Sequence, residues 1–82
     1  MGIEIVFTKH AEKRMAQYGI PRELVIEALE NPDEVVPGYR GRLIAHKYLN
    51  SYVLRVVFEK QDDVIIVVTV YRARKERYAE HG

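Results

Sequence analysis

Two side chains near the N-terminus, His10 and Arg14, have the types and the spacing needed to act together on a phosphate. In a helix, residues four apart project from the same side, so both would reach one ligand. An imidazole can give or take a proton near neutral pH, and the fixed donor fork of a guanidinium matches phosphate oxygens. Because such pairs also occur on ordinary helix surfaces, a purely structural role stays open at this point.

The second half of the chain interleaves cations with aromatic rings. Residues 1–38 hold four basic and seven acidic side chains, whereas residues 39–82 hold nine basic and five acidic ones. The interleaved residues are Arg40, Arg42, Arg55, Arg72, Arg74, Lys75 and Arg77, with Tyr39, Tyr71 and Tyr78 among them. Such surfaces bind RNA, since cations neutralise phosphates and rings stack on bases. The alternative is that they edge a sheet, where they serve packing and solubility alone.

Other kinds of site find little support in the sequence. His46 alternates with Ile44 and Tyr48, which is typical of a satisfied or half-buried sheet histidine rather than a catalytic one. No pair of acidic residues stands at metal-ligand spacing from a histidine, and no glycine-rich phosphate loop is present. The chain has no cysteine, which rules out disulfides, a thiolate zinc site and a cysteine nucleophile. We therefore expect neither a metal nor a cofactor.

Length and composition limit the architecture. Eighty-two residues provide one hydrophobic core, so a single domain spanning 1–82 is expected. With 48% hydrophobic and 30% charged residues, the chain has the balance of a globular protein. Its longest apolar run, Val64–Val68, is far shorter than a membrane span, and the first residues lack an export signal. We expect a cytoplasmic protein, a monomer or a homodimer, that makes no membrane contact.

The apolar pattern of the first half predicts two helices, over residues 9–18 and 21–30. Thr8 is a suitable N-cap for the first helix, in which Ala11 and Met15 recur with the helical period. The second helix opens at a proline, whose missing N–H costs nothing at that position, and ends before another proline.

After the turn at residues 37–38 the apolar period changes from 3.6 to two. Three antiparallel strands are expected over residues 42–49, 52–60 and 64–72, the last of them central. Residues 3–7 also alternate, as a short edge strand or an extended arm, and residues 73–82 are a basic tail. The predicted fold class is α+β, with two N-terminal helices packed on an antiparallel sheet of three to four strands.

Three stretches of the sequence resemble a known family. They are Thr8–Met15, then Tyr18–Ile20 with a following helix that ends Glu30–Asp33, and finally Val64–Tyr71. Together they resemble the bacterial and archaeal domain of unknown function family numbered 4258, over most of the chain.

The resemblance implies membership of the RelE-like toxin superfamily, with a barnase-like ribonuclease fold of two helices followed by a four-stranded antiparallel sheet. Many relatives there are metal-independent ribonucleases or ribosome-dependent mRNA interferases, neutralised by an antitoxin protein. The family's His and Arg of helix one correspond to His10 and Arg14. Its Thr and Tyr at the end of the last long strand correspond to Thr69 and Tyr71, while Arg55 matches a polar position of the middle strand more loosely.

Two hypotheses follow. In the first, the chain is a toxin-like ribonuclease acting on free or ribosome-bound RNA, with His10 as general acid or base. Arg14 and Arg55 stabilise the developing phosphoryl charge, and Tyr71 stacks on a base or donates to phosphate. The RNA-binding residues are Arg40, Arg42, Arg72, Arg74 and Lys75. In the second, the same basic face belongs to a non-catalytic module that binds RNA or an acidic protein.

Overall fold

The computed structural model describes residues 2–74 of the chain. The elements are β1 (Glu4–Phe7), α1 (Lys9–Tyr18), α2 (Arg22–Glu30), β2 (Glu34–Pro37), a short 3-10 turn (Tyr39–Gly41), β3 (Leu43–Tyr48), β4 (Tyr52–Gln61) and β5 (Val64–Arg74). Both helices lie where the apolar period predicts them, with α2 starting one residue later than expected because Pro21 is its N-cap. No described helix has the length and apolarity required to cross a membrane.

The sheet corrects the predicted fold in two respects. It has five strands in the order β1-β5-β4-β3-β2, so β4 rather than β5 occupies the centre. It is mixed rather than antiparallel, because β1 runs parallel to β5 while the other neighbours are antiparallel. The α+β class and the N-terminal position of both helices are confirmed. The first two residues of the predicted basic tail, Ala73 and Arg74, belong to β5, and residues 75–82 lie outside the described part.

The strands that differ from prediction are the two at the sheet edges. β2 contributes only two apolar residues, Val35 and Val36, between charged residues and a proline, which is too little for a period of two to stand out. In β1 the alternation indicates a strand but carries no information about its partner or its direction. The parallel pairing of β1 with β5 joins opposite ends of the chain, from Glu4 beside Val64 to Phe7 beside Val67.

Both helices cover one face of the sheet, which we call the helix side; the opposite face is the far face. Ala11 and Met15 of α1 pack in the core with Val67 and Val70 of β5. Residue Gly19 ends α1 in the left-handed region (φ 66°), a conformation that glycine adopts without a Cβ clash. The chain then turns directly into α2, whose buried Val25 and Ala28 belong to the same core.

A β-bulge in β5 determines which side chains reach each face. Val57 of β4 pairs with Thr69, whereas the next residue, Phe58, pairs with Val67, so that Val68 is an extra residue. Before the bulge the odd-numbered residues of β5 face the core; after it, the even-numbered ones do. Tyr71 therefore faces the far face, and Arg72 the helix side.

Thr8 joins the bulge to the start of α1. Its backbone N–H donates to the Val67 carbonyl (3.1 Å), and its hydroxyl donates to the Val68 carbonyl (2.9 Å). The same hydroxyl accepts from the N–H of Ala11 (3.0 Å), as a helix N-cap. The Thr8 side chain thus supplies hydrogen-bond partners both to a carbonyl of the bulge and to an N–H of the first turn of α1.

We expect Thr8→Ala to lower the free energy of unfolding by about 1–2 kcal/mol, because it leaves the Ala11 N–H and the Val68 carbonyl without these partners. Thr8→Ser keeps the hydroxyl and is the matched control, expected to retain most of the stability. Urea unfolding at neutral pH measures both variants. Equal stability of the two would contradict the proposed role of the hydroxyl.

Candidate functional site

Four polar side chains form a row across the far face, one from each of four neighbouring strands. Glu34 of β2 pairs with His46 of β3, His46 with Arg55 of β4, and Arg55 with Tyr71 of β5. Directly opposite residues in a sheet have Cβ atoms about 5 Å apart, so these side chains are neighbours on one face. We call this set the transverse row.

Arg55 is the cation of the transverse row. Its Nε donates to His46 Nε2 (3.0 Å), and its Nη1 donates to the hydroxyl of Tyr71. The guanidinium carbon also lies 5.0 Å from the centre of the Tyr71 ring. These contacts with His46 and Tyr71 fix the orientation of the guanidinium.

His46 is the buried member of the transverse row, with 3% of its surface exposed. Because Nε2 accepts a hydrogen bond from Arg55, the ring proton must be on Nδ1, which lies 3.6 Å from a carboxylate oxygen of Glu34. Burial lowers the pKa of His46 and the charge of Arg55 lowers it further, while Glu34 opposes both. A neutral His46 therefore orients Arg55 rather than exchanging protons with a ligand.

Tyr48 anchors the carboxylate end of the row. Its hydroxyl donates to Glu34 Oε1 (2.7 Å), which lowers the pKa of Glu34 and raises that of Tyr48. The ionised Glu34 faces Nδ1 of His46 and favours the tautomer in which Nε2 is the acceptor.

The predicted catalytic residues form two separate pairs. Arg55 and Tyr71 are in contact on the far face, whereas His10 and Arg14 are in contact on α1, with Arg14 Nε 3.5 Å from His10 Nε2. Arg14 also bonds Gln17 and Tyr18, so the described hydrogen bonds of the α1 pair all lie within α1. The proposed joint action of all four residues stays a prediction.

The predicted RNA-binding cations occupy different surroundings. Arg42 is paired with Glu59 (2.8 Å), and Arg40, at φ 60°, lies 5.4 Å from the ring of the neighbouring exposed tyrosine. Arg72 and Arg74 are exposed on the helix side near the end of β5, and Lys75 lies outside the described residues. Their RNA contacts stay predictions. Residues 2–74 contain no cluster of His, Asp or Glu able to hold a metal ion.

Sequence analysis missed the contacts of His46 and the whole contribution of Glu34. The contact between His46 and Arg55 has a signal in the sequence, the turn at Asn50-Ser51. A hairpin closed there by residues 49 and 52 places His46 opposite Arg55. Glu34 was missed together with the strand that carries it.

The lowered pKa of His46 predicts the pH dependence of stability. Below the ordinary value of 6.5 the unfolded chain binds a proton that the folded chain resists, so the free energy of unfolding falls as the pH falls through this range towards the folded pKa. In His46→Gln, which keeps an acceptor for Arg55 but does not titrate, this part of the slope should be smaller. Chemical unfolding between about pH 4.5 and 8.5, two units either side of 6.5, measures this slope. His10→Gln is the control at an exposed histidine; an equal change in both variants would contradict the assignment.

Comparison with known proteins identifies a family but no individual relative. No curated protein and no solved structure matches the chain. The family model described as Domain of unknown function (DUF4258) matches residues 7–72, a range that runs from the last residue of β1 to two residues before the end of β5 and contains the whole transverse row. The chain belongs to this family.

Proposed function

We propose that this protein is a metal-independent ribonuclease, in the manner of an mRNA interferase toxin, and that Arg55 binds the phosphate at which RNA is cut. The observation that carries the proposal is the guanidinium of Arg55, held in one orientation on the far face by His46 and Tyr71. The interleaved cations of the second half and the resemblance to RelE-like toxins support RNA as the polymer. The resemblance also supports an antitoxin partner.

A phosphodiester matches the chemistry of this site. Arginine stays charged at all physiological pH values, and its planar donors match two phosphate oxygens. In the reaction, the ribose 2′-hydroxyl attacks the adjacent phosphorus and the bond to the 5′-oxygen breaks, which leaves a cyclic phosphate and a 5′-hydroxyl. Negative charge grows on the phosphoryl oxygens, where a preoriented guanidinium stabilises it. The Tyr71 hydroxyl stands beside Arg55 to donate to the same oxygens.

Proton transfer is assigned to His10, with Arg14 as its neighbour. The 2′-hydroxyl loses a proton and the departing 5′-oxygen gains one; His10 serves one of these steps, and water exchanges the other proton. Because α1 lies on the helix side and Arg55 on the far face, this role requires the cut phosphate to lie where β5 extends beyond its pairing with β1, between the two faces. Residue type, exposure on α1 and the resemblance support this role. His46 is unsuited to it, because it is buried and its two ring nitrogens face Arg55 and Glu34.

A non-catalytic RNA-binding module is the second candidate. The observation favouring it is that the histidine in contact with Arg55 orients the guanidinium, while His10 makes its described hydrogen bond on α1. A cation oriented in this way suffices to bind a phosphate without cutting the chain. Catalysis and binding therefore require separate measurements.

We expect the wild-type protein to cut total RNA or ribosome-bound mRNA in the presence of EDTA, and His10→Ala to cut it about 10²- to 10⁴-fold more slowly, the usual effect of a positioned acid or base. RNA affinity should be nearly unchanged in this variant. Circular dichroism checks that it is folded. If wild-type protein binds RNA but never cuts it, the binding module is the correct function.

For Arg55→Gln we expect weaker RNA binding and a smaller salt dependence of affinity. The slope of log K against log salt concentration should become shallower by about 0.7, the value for one phosphate contact with a single strand. Cleavage should fall with binding, because the same phosphate is attacked. Lys60→Gln removes one charge from an exposed position of β4 and is the matched control. Identical slopes for the two variants would refute the role of Arg55 as the phosphate contact.

A further inference from the structure

The open end of the β4–β5 hairpin, where β4 begins and β5 ends, carries a second cationic site on the helix side of the sheet. A cleft of about 300 Å³ is lined there by Ser51, Tyr52, Arg72, Ala73 and Arg74. Within the described chain, its lining includes two arginines and no carboxylate. A cleft lined by charges of one sign concentrates the field and attracts the opposite ion. A larger cleft, of about 410 Å³, is lined mainly by isoleucine and leucine side chains of β1, α2 and β5 and has no cation.

Two tyrosine rings hold Arg72 in this cleft. Its guanidinium carbon lies 5.3 Å from the ring centre of Tyr18 and 5.6 Å from that of Tyr52. Both distances are within the range of cation–π contacts. A guanidinium that lies against aromatic rings keeps its N–H groups at its edge, where they can donate to an anion.

Further positive charge surrounds the same rings. Arg14 Nη1 lies 3.4 Å from the Tyr18 hydroxyl, so two arginines contact one tyrosine. Arg74 stands two residues beyond Arg72 and is paired with Tyr52 across the hairpin. Arg72 and Arg74 thus line the cleft, and Arg14 contacts the Tyr18 ring that borders Arg72, so an anion bound there would meet positive charge from both β5 and α1.

We propose that this cleft is a second phosphate subsite, which binds a phosphate of single-stranded RNA next to the one held by Arg55. Tyr71 and Arg72 are consecutive residues of β5 and so face opposite sides of the sheet, and the bulge determines that Arg72 is the one on the helix side. A strand of RNA that passes the end of β5 thus contacts Arg55 and Tyr71 on one side and Arg72 and Arg74 on the other. The proposal rests on the proposed function for the nature of the polymer.

The chemistry favours a phosphate rather than a base in this cleft. One face of Tyr18 and one face of Tyr52 are in contact with Arg72, so a base entering the cleft would have to displace the guanidinium to stack there. The donors at hand are guanidinium N–H groups and the hydroxyl of Ser51, which bind oxygen anions. A polymer with a phosphate at every residue supplies anions to both subsites at once, which a single small anion does not.

The test uses ¹⁵N-labelled full-length protein and a 2′-O-methyl pentanucleotide, which binds like RNA but has no nucleophile for cleavage. Shifts of the arginine Nε–H signals report on each subsite. We expect Arg55, Arg72 and Arg74 all to shift. Shifts at Arg55 alone overturn the second subsite and leave the proposed function standing. Shifts at Arg72 and Arg74 alone support the cleft and contradict the Arg55 site. Absence of all shifts overturns both.

Matched variants separate the two subsites by ligand length. Arg74→Gln should lower the affinity for the pentanucleotide by about tenfold, the value of one charged contact, and leave the affinity for a 2′-O-methyl dinucleotide unchanged. Lys60→Gln is the charge control, and Arg72→Gln is compared only if its thermal unfolding matches wild type. An equal loss for both ligand lengths overturns the subsite. An oligoglutamate peptide of the same charge is the third ligand; if it binds the cleft more tightly than the pentanucleotide, the occupant is an acidic protein.

Discussion

The position of one extra residue, Val68, determines which side chains at the end of β5 lie on each face of the sheet. Without the bulge, Tyr71 would continue the odd-numbered series of Val67 and face the helices, while Arg72 would face away from them. Arg55 would then have no tyrosine hydroxyl beside it, and the rings of Tyr18 and Tyr52 would lose their contact with Arg72. Shifting the register by a single residue thus exchanges every later side chain of β5 between the two faces.

Such a bulge persists only if the backbone groups that it removes from the ladder find partners. The Val68 carbonyl receives the hydroxyl of Thr8, the residue that also caps α1. The position of α1 on β5 and the side-chain directions at the end of β5 are therefore coupled through one threonine. A change at Thr8 acts on Tyr71 and Arg72 without contacting either, since both lie beyond the bulge on the same strand.

The sequence allows prediction of what depends on neighbours along the chain. Both helices follow from local periodicity and from end signals such as Thr8 and Gly19, and the three long strands from the switch to a period of two. The bulge is not predictable from the pattern, because Val64–Val68 is apolar on both faces and a change of register leaves that pattern unaltered. The direction of β1 and the existence of β2 depend on distant partners. Arg55 and Tyr71 lie in long strands that the sequence predicts, so both can be named as candidates. Glu34 lies in β2, which the sequence does not predict.

Charge is distributed unevenly along the transverse row. From β2 to β5 the transverse row presents a carboxylate, a neutral imidazole, a guanidinium and a phenol, with the carboxylate fixed at the β2 edge by Tyr48. The buried, uncharged His46 separates Glu34 from Arg55, so the two charges do not pair directly. The row therefore has its negative charge at the β2 edge and its positive charge on β4, beside β5, whose Arg72 and Arg74 face the helix side. A polyanion at this end of β5 would meet Arg55 of β4 on the far face and Arg72 and Arg74 of β5 on the helix side.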